Sequence, residues 1–308
     1  MEINHYLYGA LSLLIGVSIY KAVTNENRMT QQQVDYMVLE KYLLRDSSLA
    51  KSKKQILWIH LDFQENARNW VDFASRKSKN LNLPYIYLTI KSIIDHCGDS
   101  FNVFIIDDNT FSKIIPGWDI NMKTISSPIL QKIRRLAKAK ILSHYGGLFV
   151  PPSFICFNDL IDLYKTGLQN KGIFVCDIPD IKTEFMGCEK INSIIQNYIH
   201  FLEECNSCGF TEENMFLQKE NKYLKENKIP KISGYLIGTQ DTDNEPILLD
   251  NLMSNIPLKL NSNTNGLYIP KNELLTRIKY KWFNRLNLQQ VLNANNQISH
   301  YLLFSQNI

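Results

Sequence analysis

A chain of 308 residues that is 44% hydrophobic can bury a sizeable core; it is long for one domain and short for two large ones. Its formal net charge of +4 supplies no global field for a nucleic-acid partner, so none is expected. The six cysteines, Cys97, Cys156, Cys176, Cys188, Cys205 and Cys208, outline no disulfide framework and mildly favour a reducing compartment; Cys205-Asn-Ser-Cys208 has no second pair and reads as two free thiols rather than a zinc half-site or redox pair.

In chain order, Ile3 to Tyr20 comes first, without one Asp, Glu, Lys or Arg. As a helix it would span about 27 Å, close to the roughly 30 Å hydrocarbon core of a bilayer. Tyr6, Tyr8 and Tyr20 lie near its ends, where amphipathic rings favour the interface. A transmembrane helix is expected over 1–24. Two alternatives are a cleaved signal peptide, which would want a basic start and a small-residue cleavage site, neither of them evident, and a buried soluble helix. Lys21 and Arg28 follow the helix and only Glu2 precedes it, which places the bulk of the chain on the cytosolic side. Residues 25–54 hold an amphipathic helix over Thr30 to Arg45 and a polar linker.

From Gln55 strands and helices alternate. "ILWIH" reads as a strand, and a helix starts near Asn66. Pro84 suits the first turn of the helix "PYIYLTIKSIIDHC". "FNVFIIDD" reads as a buried strand ending in Asp107 and Asp108. Ile129 to Tyr145 is expected as a helix, "GLFV" as a strand, Asp159 to Lys165 as a helix and "GIFVCDI" as a strand. This spacing predicts an α/β fold with a mostly parallel sheet, whose ligands would sit at the carboxyl ends of the strands. Residues 55–185 form that core, and 186–308 read as a helix-rich part completing or covering it. There, "INSIIQNYIHFLEEC", "EENMFLQKENKYLKEN", "NELLTRIKYKWFNRLN" and "LQQVLNANNQISHYLLF" read as helices, and "GYLIGTQDTDNEPILLD" as two short strands around an acidic turn.

The helix ending at Tyr145 carries Ile129, Ile133, Leu136, Ala137 and Ile141 on one face and Arg134, Arg135 and Lys138 opposite. Lys140 falls within the apolar stripe, with its ammonium reaching an edge. Gly146 and Gly147 permit a sharp helix-to-strand turn.

With "LSHYGGLFV" this stretch resembles the glycosyltransferases that carry an Asp-x-Asp sugar-binding region, together with the capsular polysaccharide synthesis proteins. Leu142, Tyr145, Gly146, Gly147 and "LFV" match the block; "FICFNDL" resembles the segment after it, and "ILWIH" and "TIKSIIDHCGDSFNVFIIDD" resemble the opening strands and helix. The likeness runs from about Gln55 to Cys176. It implies an A-type nucleotide-sugar-transferase fold, a nucleotide-sugar ligand and a divalent cation held by the Asp-x-Asp pair.

The departures fall on the charged positions. Arg135 stands where the family has Asp, Lys138 where it has Arg, Pro151 replaces the first Asp of the metal motif, and Ser153 stands at its last position. Proline offers no ligand and serine a poor one, so the usual cation site is not expected here and no cofactor is assigned. Three substitutes remain. Asp107 and Asp108 end a strand where a nucleotide-sugar could be met, or else cap the helix start that follows. Asp241 and Asp243 form another Asp-x-Asp, most simply a hairpin turn. Arg134, Arg135 and Lys138 could hold a diphosphate without metal, or else form a solvated helix face. Ser153, Gly146 and Gly147 complete the candidate substrate-binding residues. The histidines show no metal spacing such as HExxH, and no G-x-S-x-G, Walker A or dinucleotide loop is present.

Two readings of function follow. One is a membrane-anchored glycosyltransferase-like protein that moves a sugar from a nucleotide donor. The other is a catalytically inactive form of the same fold that serves as a structural or interaction protein with protein assembly partners, for example a membrane-attached component of a virus particle. The lost carboxylates, the cytosol-facing charge and an Asn-, Ile- and Lys-rich style that suits an AT-rich genome motivate the second. An α/β module of unrelated function is the third possibility.

Overall fold

The structure, a computed structural model, describes residues 54–61, 83–178, 182–207 and 213–306. The expected membrane helix at Ile3–Tyr20, the amphipathic helix at 30–45 and the helix from Asn66 lie outside the described residues. Among the described residues, no helix is long and apolar enough to cross a membrane.

The chain is a mixed α/β structure with a mostly parallel six-stranded sheet flanked by helices. Strand β1 (Gln55–His60) lies between β2 (Phe101–Ile106) and β3 (Gly147–Phe149) and runs parallel to both. Beyond β3 come β6 (Met186–Cys188), β5 (Ile173–Cys176) and β7 (Lys231–Ile232), in the order β2-β1-β3-β6-β5-β7. Strand β6 pairs antiparallel with both its neighbours and alone runs against the rest. A second, two-stranded antiparallel sheet joins β4 (Phe154–Cys156) to β8 (Gly266–Tyr268).

Both faces of the large sheet are covered, which is why "ILWIH" is apolar at every position before its histidine. Successive side chains of a strand point to opposite faces. Leu57 and Ile59 accordingly join one core, with helix α1 (Pro84–Cys97) and two helices near the C-terminus, α6 (Leu288–Leu292) and α7 (Gln297–Gln306). Trp58 joins the other core, with helix α2 (Ser127–Tyr145) and helix α4 (Ser193–Ser207). Helix α3 (Ile161–Leu168) packs on β5 and β6, and α5 (Glu213–Glu226) contributes Phe216 and Leu224 to the second core.

The turn from α2 into β3 brings the chain close against β1. Gly146 and Gly147 both have positive φ, 71° and 108°. The Trp58 indole Nε1 donates to the Gly146 carbonyl at 2.9 Å. A Cβ on Gly147 would stand 2.4 Å from the Ile56 carbonyl oxygen. Glycine is needed here both for the dihedral and for the approach.

Several boundaries differ from the sequence expectations. The helix expected at Asp159 begins at Ile161, because Asp159 Oδ1 accepts the Ile161 amide at 3.1 Å. The expected helix "NELLTRIKYKWFNRLN" holds helical residues only at Lys271–Thr276 and a 3-10 turn at Phe283–Arg285, because Asp250 pulls Arg277 and Tyr280 into side-chain bonds. The last expected helix is two, α6 and α7, with Asn296 Oδ1 accepting the Ser299 amide at 2.9 Å at the break. The two short strands expected around the acidic turn are a 3-10 turn at Gly234–Ile237 and a single bridge between Gln240 and Pro246.

The steric demand at Gly147 is separable from its dihedral demand. Gly117 also has positive φ, 69°, yet a Cβ there would meet nothing within 4 Å. Gly117→Ala is expected to lose about 1 kcal/mol of unfolding free energy, and Gly147→Ala on the order of 3 kcal/mol or more because strain and collision add. Urea denaturation of the two variants checks the difference.

Candidate functional site

In open α/β sheets, ligands bind outside the carboxyl ends of the strands, at the point where the strand order reverses. Here the chain passes from β1 to β2 on one side and then to β3 on the other, so that point lies at the carboxyl ends of β1 and β3. His60 closes β1, Asp107 and Asp108 follow β2, and Pro151 to Ser153 follow β3.

Asp108, His60 and Arg134 form one cluster. Arg134 binds the Asp108 carboxylate with two nitrogens, Nε to Oδ1 at 2.9 Å and Nη2 to Oδ2 at 2.6 Å. His60 Nε2 lies 3.0 Å from Oδ1, with its ring stacked on Phe111 at 5.2 Å. Burial alone would push the Asp108 carboxyl up; the hydrogen bonds and charges of His60 and Arg134 outweigh it and hold it below the ordinary carboxylate range. Asp107 faces the other way. Its Oδ1 accepts the Thr110 amide at 2.9 Å and the Thr110 hydroxyl at 2.6 Å, which closes the turn before the short helix Phe111–Ile114; the N-cap of that helix is Thr110, with no side-chain cap bond.

A second, more deeply buried pair hangs from the next residue of α2. Arg135 Nη1 lies 3.6 Å from Glu220 Oε2 on α5, and its guanidinium covers the Phe216 ring at 5.0 Å. Glu220 is only 1% exposed. It also accepts the Tyr198 hydroxyl at 2.5 Å and the Thr183 hydroxyl at 3.3 Å. Burial, then the Glu220 charge, pushes the Tyr198 hydroxyl well above its ordinary value. Lys138 lies over the Phe149 ring at 5.8 Å. Arg134, Arg135 and Lys138 thus meet three different partners instead of forming a solvated face. Lys140, placed in the apolar stripe by the sequence, reaches Glu203 at 2.7 Å from the edge of the helix.

The segment Pro151 to Ser153, after β3, is tied down by its own chain. The Thr89 hydroxyl donates to the Pro152 carbonyl at 2.5 Å. Ser153 is buried; its hydroxyl donates to the Ile269 carbonyl at 2.8 Å, and its carbonyl accepts the Ile269 amide at 3.0 Å. Asp241 and Asp243 sit far along the chain in an exposed turn. Asp241 Oδ1 accepts the amides of Asp243 and Glu245 at 2.9 Å, and Asp243 pairs with Lys259 at 2.9 Å. Among the described residues, no three His, Cys, Asp or Glu side chains gather in a way that could hold a metal ion.

Two functional-looking residues escaped the sequence reading. His60 carried a usable signal, since it ends the first strand of a parallel sheet. Glu220 carried none, because it sits inside an ordinary polar helix. No protein-family model and no curated protein sequence matches the chain.

Asp108→Asn leaves the Arg134 guanidinium facing a neutral amide. Because the Asp108 side chain is still 22% exposed, the expected loss is on the order of 2 kcal/mol, below the full cost of breaking a buried pair. The native carboxyl titrates below its unfolded value, so its contribution is present above about pH 4 and is lost as pH falls through the lower native value. Denaturation midpoints measured from pH 6 down to pH 2 should fall less steeply below pH 4 in the variant than in the parent.

Proposed function

We propose that the protein is a glycosyltransferase-like member of the A-type nucleotide-sugar-transferase fold that turns over no sugar donor and serves as a membrane-anchored structural or interaction protein. The observation that carries this reading is the closure of the chain at Pro151–Ser153. The groups a donor diphosphate or its cation would meet at that edge are already bonded to Thr89 and Ile269. The charged side chains nearest to replacing the cation are likewise engaged: Arg134 with Asp108 and Arg135 with Glu220. Freeing either guanidinium would leave a carboxylate uncompensated, for Glu220 in a fully buried site, and that costs several kcal/mol on the order of the loss measured when buried pairs are broken. The mostly parallel sheet and its helix-covered faces support the fold. The apolar run Ile3–Tyr20 supports the anchor.

A second reading keeps the donor, and one side chain favours it. The Tyr85 hydroxyl, in the first turn of α1, is buried with no hydrogen-bond partner among the described residues. A buried polar atom of this kind calls for an explanation, and a sugar hydroxyl would supply one.

Titration calorimetry and ligand-observed NMR of the full chain against UDP-, GDP- and CMP-sugars, with and without Mn, separate the two. The expected result is no binding and no release of nucleotide. Binding of any donor that Tyr85→Phe weakens would establish the second reading instead. Quantifying the protein in the membranes or particles that carry it tests the structural role, for which near-stoichiometric copy number is expected and trace amounts would count against it.

A further inference from the structure

Between the helical residues Lys271–Thr276 and the 3-10 turn Phe283–Arg285, the chain forms a knuckle whose inward and outward residues are sharply sorted. Tyr280 and Phe283 are buried, with Phe283 against Tyr85 at 5.8 Å. The Asn284 amide donates to the Leu274 carbonyl at 2.9 Å. Asp250 receives the Tyr280 hydroxyl and Arg277 Nη1, each at 2.5 Å. Those two bonds hold its carboxyl down at about 2. The anchoring forces the intervening residues outward. Ile278 is 83% exposed and Trp282 47%. Lys279, Lys281 and Arg285 are exposed beside them.

The combination is specific among the described residues. Leu248, also exposed, follows the acidic turn at 241–245, and the exposed Leu303 and Phe304 lie in a helix, α7, without Lys or Arg. Only at the knuckle do exposed large apolar side chains alternate with several cations. A tryptophan and an isoleucine flanked by lysine and arginine match the membrane–water boundary: the indole settles at headgroup depth, and the cations are drawn to anionic lipid.

We infer that the knuckle at 277–285 is a second membrane contact, which lays Ile278 and Trp282 into the headgroup layer of an anionic leaflet while Lys281 and Arg285 meet its lipid phosphates and carboxylates. The inference rests on the proposed membrane attachment, and it fits the orientation set by Lys21 and Arg28, because the cytosolic leaflet is the anionic one. Once the chain is tethered, the second contact forms at high effective concentration and can be weak on its own. Asp250 offsets much of the charge of Arg277 and Lys279, so Lys281 and Arg285 carry most of the lipid attraction.

The test is hydrogen–deuterium exchange on the full chain in nanodiscs of phosphatidylcholine alone or mixed with phosphatidylserine. Amides of 277–285 are expected to exchange at least about fivefold more slowly on the mixed bilayer, since each cation near an anionic surface contributes about that factor, and the protection should fade in high salt. Ile278→Ser with Trp282→Ser, both exposed, should abolish it while leaving the exchange of α1 and β1 unchanged. Equal exchange on both lipids would overturn the inference, as would protection that rises with protein concentration in the absence of lipid, the mark of a protein partner. Alkaline extraction reads the anchor separately. If the chain is extracted yet the knuckle is still protected on added phosphatidylserine vesicles, the anchor reading fails and the contact stands.

Discussion

At Gly147 the chain passes so close to β1 that a side chain would stand 2.4 Å from the Ile56 carbonyl oxygen, and the Trp58 indole closes onto Gly146 beside it. That approach lets β3 pair directly with β1 in parallel register, Leu57 with Leu148 and Trp58 with Phe149. Because β3 follows α2 with no loop, the register also sets where α2 lies on the sheet. The position of α2 then decides where Arg134 and Arg135 can reach, and the end of β3 decides where Pro151 to Ser153 must go. A turn of two glycines therefore positions both the charged pairs and the closed edge.

The charges on α2 are directed into the structure. Each of Arg134 and Arg135 is desolvated and matched to one carboxylate from a distant part of the chain. Such pairs contribute little net stability against an apolar substitute, but either partner alone would be costly. Their consequence is geometric. Arg134 ties α2 to the carboxyl end of β2, and Arg135 ties it through Glu220 and Tyr198 to the helices on its outer side. The edge where a ligand would arrive is thus bordered by groups whose movement would break an ion pair.

Helices and strands with strong local patterns were legible from the residues alone. The α1 expectation matches from Pro84 to Cys97, because a proline start and a long apolar run leave little ambiguity. The α2 face was read correctly for its apolar side, where Ile133, Ala137 and Ile141 are buried. Neither alternative for its cationic side, a diphosphate site or a solvated face, anticipates its partners, because the elements that cover it, the β2 end and α5, come from elsewhere in the chain and no periodicity reports them. The same limit explains the missed β4–β8 sheet: strands of three residues carry too little pattern, and their pairing spans more than a hundred residues. The C-terminal helix at 272–287 failed for a different reason. Its pattern was helical, but Asp250, outside the segment, offered Arg277 and Tyr280 partners that the helix could not. In the candidate site, the sequence places Asp107 and Asp108 at a strand end, yet only the structure separates them into a turn cap and a half-buried ion-pair partner.

The position after β3 is held from several parts of the chain at once. Ser153 is held by its hydroxyl and its carbonyl to the backbone of Ile269, next to β8, and β8 in turn pairs with β4. An aspartate at 153 would aim its negative charge at the Ile269 carbonyl oxygen, and like dipoles would drive the two apart. Pro151 is buried as well, so a carboxylate there would need a cation at once. A cation site at this edge would thus require the β4–β8 pair and the α1 contact through Thr89 to rearrange together. The closure is a property of the fold around Pro151 to Ser153, set by Thr89, by Ile269 and by the β4–β8 pair.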